Sequence, residues 1–219
     1  VLHEYWFKKY DIDADYSILK STDEDLPRVI RKIREGDLSG LNVTLPFKQK
    51  ILNYVDKAVN DAELTGSVNT ILIDHNKKVI GENTDVFGIQ AAYLKEIDNN
   101  LNKKALIIGA GGVSPSIVLS IKKSGIRNIF ITNRTNEKCI FLKKKFKFLN
   151  IVSWKDLETE IKNFDIIINA TSLGLKNGSN FTFNFAKTKN SLIYIDTIYN
   201  PLETKTYKFL KEEGKKVFN

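Results

Sequence analysis

The chain of 219 residues is 42% hydrophobic and 27% charged, a balance typical of a globular protein with one large or two modest domains. Its apolar runs are too short to cross a bilayer, and its single cysteine, Cys139, excludes an internal disulfide framework, so we expect a cytoplasmic protein without a membrane partner. The net charge of +8 does not indicate a nucleic-acid site, because the lysines alternate with acidic residues on several predicted helical faces.

The first part of the chain alternates short helical and extended patterns. A cap signal at Thr22, an apolar stripe and a terminal Gly36 delimit its clearest helix. Further helices are predicted over 1–10, 48–54, 59–64 and 87–97. Strands are predicted over 14–20, 40–43, 67–73 and 78–81, the last two as a hairpin.

The second part of the chain alternates strands and helices more regularly. Strands are predicted over 105–108, 128–132, 150–153, 165–171 and 192–196, with another from residue 217. Helices are predicted over 114–124, 136–147 and 204–213, and a further short helix is predicted to begin at 154–157. We therefore predict an α/β protein of two domains: a mixed-sheet substrate domain over 1–86 and a Rossmann-type, doubly wound domain over 87–219.

A glycine-rich turn follows the first strand of the second part. The apolar strand runs into Gly109-Ala110-Gly111-Gly112, and Ser114 and Pro115 suit the start of a helix. Such a turn directs backbone N–H groups and the positive end of a helix dipole at one point, which makes an anion site. The alternative is a glycine-rich turn that binds no nucleotide.

The end of the next predicted strand indicates which nucleotide the turn would bind. NAD-binding units carry an acidic residue here to hold the ribose hydroxyls, whereas this chain has Asn133, Arg134 and Thr135, with Lys138 one turn later. An arginine in place of an acid favours the 2′-phosphate of NADP. The sequence therefore predicts NADP rather than NAD.

Ligands of an open α/β sheet bind beyond the carboxyl ends of its strands. The glycine turn, residues 133–135, Thr171 with Ser172, and residues 197–199 should therefore line one crevice, with the first domain on its far side. In the first domain, Lys48 and Asp85 stand out among neutral polar residues. A lysine can move a hydroxyl proton while a carboxylate orients it. On their own, these two residues could equally be an exposed ion pair.

Seven motifs together resemble the shikimate dehydrogenase family, in order and in approximate spacing, over nearly the whole chain. They are Asn42-Val43-Thr44-Leu45-Pro46-Phe47-Lys48, Gly66-Ser67-Val68-Asn69-Thr70, Gly81-Glu82-Asn83-Thr84-Asp85, Gly109-Ala110-Gly111-Gly112, Asn133-Arg134-Thr135, Asn169-Ala170-Thr171 and Tyr199-Asn200-Pro201. The N-V-T-x-P-x-K and V-N-T patterns are specific to this family and its quinate-using relatives.

The resemblance implies a role for each motif. Lys48 would be the catalytic acid/base and Asp85 its partner. Substrate contacts are implied for Asn42, Thr44, Asn69, Asp85 and Tyr199. Cofactor contacts are implied for Gly109, Ala110, Gly111, Gly112, Val113, Asn133, Arg134, Thr135, Lys138, Thr171, Ser172 and Thr197. The implied reaction is the reversible, NADPH-dependent reduction of 3-dehydroshikimate to shikimate in aromatic amino-acid synthesis, by a monomer or a homodimer.

Two other functions remain open at this point. A quinate/shikimate dehydrogenase using NAD is disfavoured by Arg134, and a non-catalytic NADP-binding homologue is disfavoured by the retained Lys48 and Asp85. No Cys, His and Asp grouping has metal-ligand spacing, so no metal is expected. His3 and His75 are expected to be solvated or packed rather than catalytic.

The chain also departs from the family pattern. Val86 stands where the family usually has Gly, and Ser67 where it usually has Ala. The family begins with a strand and two serines that bind the substrate carboxylate, and it ends with a Gly-rich turn, a Gln that touches substrate and further helices. We therefore expect this sequence to be part of a longer chain, with those residues outside it and its first sheet short of one interior strand.

Overall fold

The computed structural model describes residues 2–97, 102–175 and 179–219. Its helices are α1 (Leu2–Lys9), α2 (Leu26–Glu35), α3 (Asp61–Thr65), α4 (Asp85–Ala92), α5 (Ser114–Lys123), α6 (Asn136–Lys145), α7 (Leu157–Glu160) and α8 (Lys205–Glu212). Its strands are β1 (Gly40–Asn42), β2 (Lys57–Ala58), β3 (Thr70–Ile73), β4 (Val79–Glu82), β5 (Lys104–Ile108), β6 (Asn128–Thr132), β7 (Asn150–Ile151), β8 (Ile166–Asn169), β9 (Ile193–Asp196) and β10 (Lys216–Phe218). Val1, the start of the first predicted helix, lies outside the described residues.

The first sheet is mixed and small. Its order is β1-β3-β4-β2, with β3 antiparallel to both β1 and β4, and β2 parallel to β4. The Asp74 carboxylate accepts the backbone N–H groups of Asn76 and Lys78 and so closes the β3–β4 hairpin. The apolar stripe of α2 packs on this sheet, with Ile33 and Ile71 buried in the same core.

The second sheet has six parallel strands in the order β10-β9-β8-β5-β6-β7. Strands β8 and β9 are buried along their whole length, as expected for strands covered on both faces by helices. The order reverses between β5 and β8, which is the point where a doubly wound fold opens its crevice. The predicted α/β fold, with one mixed and one parallel sheet, is confirmed.

The predicted strand over 14–20 is wrong. These residues form no strand, and every side chain from 10 to 20 is exposed. A strand needs a neighbouring strand to satisfy its backbone hydrogen bonds. In the described sheet β1 is an edge strand and pairs only with β3. Tyr16 is held by its side chain instead, because its ring stacks on His3 at 3.9 Å.

Other differences concern element ends. The helix predicted over 48–54 is only a 3-10 turn at Lys50–Asn53. The helix predicted over 87–97 begins two residues earlier, at Asp85, and its α-helical part ends at Ala92. The earlier start places Asp85 in the first turn of α4, where a helix dipole stabilises a carboxylate.

Candidate active site

The centre of the first domain's polar surface is an ion pair between Lys48 and Asp85. The Lys48 Nζ and Asp85 Oδ2 atoms are 2.7 Å apart, and the two side chains are only 14% and 20% exposed. The backbone carbonyl of Lys48 accepts the N–H of Val68 at 2.7 Å, which anchors the base of the lysine. This shielding distinguishes the pair from the open surface ion pair that the sequence left as an alternative.

Asn69 holds the other side of the carboxylate. Its Nδ2 donates to Asp85 Oδ1 at 2.8 Å, and its Oδ1 accepts the Thr84 backbone N–H at 2.9 Å. The Thr70 hydroxyl also donates to Asn69 Oδ1 at 3.0 Å. Each carboxylate oxygen of Asp85 therefore has its own donor, which fixes the orientation of the ion pair.

The other predicted substrate residues lie at the rim. Asn42 Oδ1 accepts the Tyr16 hydroxyl at 3.0 Å, and Thr44 is exposed in the turn before Lys48. Tyr199 lies beyond β9 in the second domain with an exposed fraction of 81%, so its ring is not packed against the Lys48 cluster. The structure thus joins Asn69 to the Lys48–Asp85 pair and leaves Thr44 and Tyr199 solvent-facing.

At the glycine turn the backbone lies so close to neighbouring protein atoms that a side chain at Gly109 or Gly112 would clash with them. Gly109 has φ +115°, and a Cβ there would lie 2.7 Å from the Ala170 carbonyl oxygen. A Cβ at Gly112 would lie 2.9 Å from Leu45 Cδ2 in the first domain.

Ser114 closes the turn, because its hydroxyl donates to the Gly109 carbonyl and accepts the Gly111 N–H, both at 3.0 Å. Ser114 therefore has a structural role in the turn. Val113 is the residue before α5.

Asn133 links the turn to the end of β6. Its Oδ1 accepts the Ala110 N–H at 3.3 Å and its Nδ2 donates to the Thr135 carbonyl at 2.9 Å. Arg134, Thr135 and Lys138 are exposed beside it. This edge places two exposed cations, Arg134 and Lys138, where they could pair with a phosphate group.

One cleft of about 430 Å³ joins the two domains. Its lining residues come from the turn before Lys48, the glycine turn and α6: Leu45, Pro46, Lys48, Gln49, Ala110, Gly111, Gly112, Glu137, Lys138, Phe141 and Leu142. The predicted acid/base and the predicted phosphate turn thus face the same space, as a transfer between a cofactor and a substrate requires.

The remaining predicted cofactor residues follow β8 and β9. The Thr171 hydroxyl donates to Asn169 Oδ1 at 2.7 Å, and the Thr197 hydroxyl donates to the Asn169 carbonyl at 2.8 Å. Ser172 is exposed beside Thr171. These side chains mark the carboxyl edge of the sheet next to Gly109, since Thr171 Cγ2 lies 2.9 Å from the position of a Gly109 Cβ.

Asp196 is a buried carboxylate at this edge that the sequence analysis did not assign. It accepts hydrogen bonds from the Thr204 hydroxyl at 2.7 Å, Asn169 Nδ2 at 3.0 Å and the Ile198 N–H at 3.1 Å. Burial raises the pKa of the Asp196 carboxyl above its usual range, although these hydrogen bonds oppose the rise. The cluster ties β8, β9 and the segment before α8 together, and so supports the loop that carries Tyr199.

Comparisons with known proteins identify the family. Residues 1–71 match the model of the shikimate dehydrogenase substrate binding domain, and residues 92–205 match that of shikimate / quinate 5-dehydrogenase. Over 213 residues the chain is 43% identical to the shikimate dehydrogenase (NADP(+)) of Pelagibacter ubique, covering 97% of this chain and 78% of that protein. The chain belongs to the shikimate dehydrogenase family.

Solved structures of the shikimate dehydrogenase family agree with this assignment. The enzyme from Aquifex aeolicus superposes with a TM-score of 0.90 at 32% identity, covering 99% of this chain and 79% of that one. The enzyme from Thermus thermophilus in complex with NADP(H) and shikimate gives a TM-score of 0.86 at 27% identity, covering 99% and 79%. The family and fold predicted from the sequence are therefore confirmed.

The single cysteine is not among the residues that line the cleft of this shikimate dehydrogenase family member. Cys139 is buried in the core beneath α6, and burial raises the pKa of its thiol to about 11. The described residues contain no group of three or more His, Cys, Asp or Glu side chains placed to hold a metal ion. In those same ranges, no helix has the length and apolar character needed to cross a membrane.

Proposed function

We propose that this chain catalyses the reversible reduction of 3-dehydroshikimate to shikimate with NADPH. The observation that carries the proposal is the shielded Lys48–Asp85 pair, whose lysine lines the same cleft as the glycine turn. The curated relatives are named as NADP(+)-dependent shikimate dehydrogenases, which supports both the reaction and the cofactor.

Lys48 would serve the proton of the reaction. In the reductive direction its ammonium group donates a proton to the oxygen that develops negative charge. In the oxidative direction its neutral amine accepts the hydroxyl proton of shikimate. Asp85 keeps the amine in place through the 2.7 Å contact, and Asn69 keeps Asp85 in place. Asn42, Thr44 and Tyr199 would provide neutral hydrogen-bonding groups for the hydroxyls of the substrate.

The second domain fits NADP. The backbone from Gly109 to Val113 would hold the pyrophosphate, since this turn leads directly into the N-terminus of α5, where backbone N–H groups and the helix dipole favour an anion. Asn133, Arg134, Thr135 and Lys138 would hold the 2′-phosphate, and Thr171, Ser172 and Thr197 would flank the nicotinamide ribose. When bound, the cofactor supplies the hydride.

The organisation proposed for the chain is a substrate domain over 1–86 and a cofactor domain over 87–219, with α4 crossing the division. We also propose a monomer or homodimer in the cytoplasm. The single buried cysteine fits a reducing compartment. Sedimentation of the purified chain would distinguish a monomer from a homodimer.

The decisive assay is the formation of NADPH from NADP and shikimate, followed by absorbance. Quinate and NAD are tested in parallel, because one matching family model covers both shikimate and quinate dehydrogenases. Turnover with shikimate and NADP is the expected result. Turnover with quinate and NAD alone would replace the proposed substrate and cofactor, and NADP binding without any turnover would indicate a non-catalytic homologue.

A further inference from the structure

We propose that Asn83 is a positioning residue that fixes the proton-transfer pair relative to the glycine turn. Asn83 lies in the Gly81–Asp85 motif, but neither the motif nor the substrate contacts assign its side chain a role. It is buried between the two domains and touches neither the cleft nor Lys48. The inference rests on the proposed function, because it concerns how the same site is held.

The amide of Asn83 is surrounded by partners from three elements. Its Nδ2 lies 2.8 Å from the Ser67 carbonyl oxygen, 3.0 Å from Ser116 Oγ and 3.2 Å from Thr65 Oγ1. Ser67, Ser116 and Thr65 are themselves buried. A buried amide with this many partners has one favourable orientation, because each lost hydrogen bond would leave a polar group without water.

The oxygen of Asn83 reaches the helix that carries Asp85. Asn83 Oδ1 accepts the backbone N–H of Val86 at 3.3 Å, in the first turn of α4. This N–H is one of the groups that a helix start leaves without a helical partner. Asp85 is the preceding residue and holds Lys48 through its carboxylate. A shift of this turn therefore moves the carboxylate and the amine together.

Ser116 connects the same amide to the cofactor side. It lies in the first turn of α5, two residues after Ser114, which closes the glycine turn. The Ser67 hydroxyl adds a second link, because it donates to the Gly112 carbonyl at 3.2 Å. One buried cluster thus extends from the first turn of α4, which contains Asp85, to the first turn of α5, which follows the glycine turn.

This link matters because hydride and proton transfer require a fixed distance and orientation between the Lys48–Asp85 pair and the glycine turn. A misplacement of about 1 Å can reduce a rate by about 100-fold even when binding persists. A positioning residue of this kind should therefore affect kcat more than cofactor affinity.

The test compares Asn83→Ala with Thr188→Ala. Thr188 is a control for the loss of a buried hydrogen bond, because its buried hydroxyl donates to the Phe185 carbonyl at 2.7 Å, away from both helix starts. For Asn83→Ala we expect kcat to fall by about 10- to 100-fold with an NADP dissociation constant within about twofold of the parent. Amide exchange at Val86 should rise by about tenfold. Thr188→Ala should show neither effect.

Ser116→Ala gives a second variant that keeps the cap on α4 and removes only the link to α5. It should lower kcat by less than Asn83→Ala and leave exchange at Val86 unchanged. Equal kcat losses in Asn83→Ala and Thr188→Ala, or unchanged exchange at Val86 in Asn83→Ala, would overturn the inference. If the parent chain has no turnover, the proposed function fails, and the exchange comparison alone decides whether Asn83 holds the helix start.

Discussion

The two walls of the cleft hold their polar groups in different ways. On the first-domain wall, Lys48, Asp85 and Asn69 bind one another through their side chains, with distances of 2.7 and 2.8 Å. On the second-domain wall, the glycine turn offers backbone groups, and Arg134 and Lys138 extend into solvent. The polar side chains of the first wall hold one another in place, whereas the two cations of the second wall are exposed.

This difference fits the two proposed tasks. A group that moves a proton must hold one orientation through the reaction, so its partners are built into the protein. A site for a phosphate needs donors that are still free when the anion arrives. Substitutions in the first wall should therefore reduce the rate, and substitutions in the second should reduce affinity.

The largest effect that would sharpen this comparison is expected for Lys48→Ala. Removing the proton donor should lower kcat by about 100- to 10,000-fold and leave NADP affinity nearly unchanged. Steady-state kinetics and NADP titration measure the two quantities. Lys50→Ala is the control, because Lys50 lies two residues away and pairs with Asp23 on the surface. A large loss of NADP binding in Lys48→Ala would count against the proton role.

Asp196→Ala tests a part of the second domain that, like the first wall, is held together by side-chain hydrogen bonds. Behind the second wall, Asp196 forms a side-chain cluster as closed as the one around Asp85. Its removal would leave Thr204, Asn169 and Ile198 with a buried donor each, so we expect unfolding to become easier by about 3 kcal/mol. Urea unfolding measures this loss. Asp196→Asn keeps an acceptor and should lose less; equal losses would mean that volume, not hydrogen bonding, matters here.

Arg134→Ala tests the second wall directly. Loss of the guanidinium should raise the KM for NADP by about tenfold and leave the KM for NAD unchanged, because only NADP carries the 2′-phosphate. Arg127→Ala is a matched control, since Arg127 is also exposed but precedes β6, whereas Arg134 follows it. An unchanged preference for NADP in Arg134→Ala would move the phosphate site elsewhere.

The smallest effect concerns an ion pair remote from both walls. The Arg34 guanidinium donates to both carboxylate oxygens of Asp56, at 2.7 and 2.8 Å, and holds the pKa of that carboxyl below its usual range. Because the folded-state pKa is the lower one, the stabilisation is present above the unfolded pKa and is lost as pH falls through the folded pKa.

Asp56→Asn should therefore lower the free energy of unfolding near pH 7 by less than about 1 kcal/mol, because both side chains are partly exposed. The difference from the parent should shrink as pH falls toward about 3. Urea unfolding at both pH values measures it. A difference that grows on acidification would show that the pair does not act through the ionised carboxylate.

The features that could be predicted from the sequence are those that depend on residues close together in the chain. The glycine turn, the buried strand before it and Arg134 after β6 lie within about one βαβ unit, so their spacing fixes their relative position. Lys48 and Asp85 are 37 residues apart, and only the combined motifs indicated that they meet.

The features that could not be predicted depend on tertiary neighbours. The segment 14–20 has strand-like residues, but a strand also needs a partner, which a local pattern does not reveal. The two residues of β2 are too few to give a pattern at all. Asn83 and Asp196 are polar residues whose burial arises only when distant elements pack around them. A carboxylate ending the apolar β9 was the one available signal for Asp196.

The burial of Cys139 gives the chain an experimental advantage. The thiolate is the form of cysteine that reacts with maleimides, and a buried thiol with a pKa of about 11 provides very little of it. Since the sequence has no other cysteine, one introduced at the exposed Leu202 would react alone in the folded protein. A dye attached there would report on the surroundings of the loop that carries Tyr199, with no background from a second labelled site.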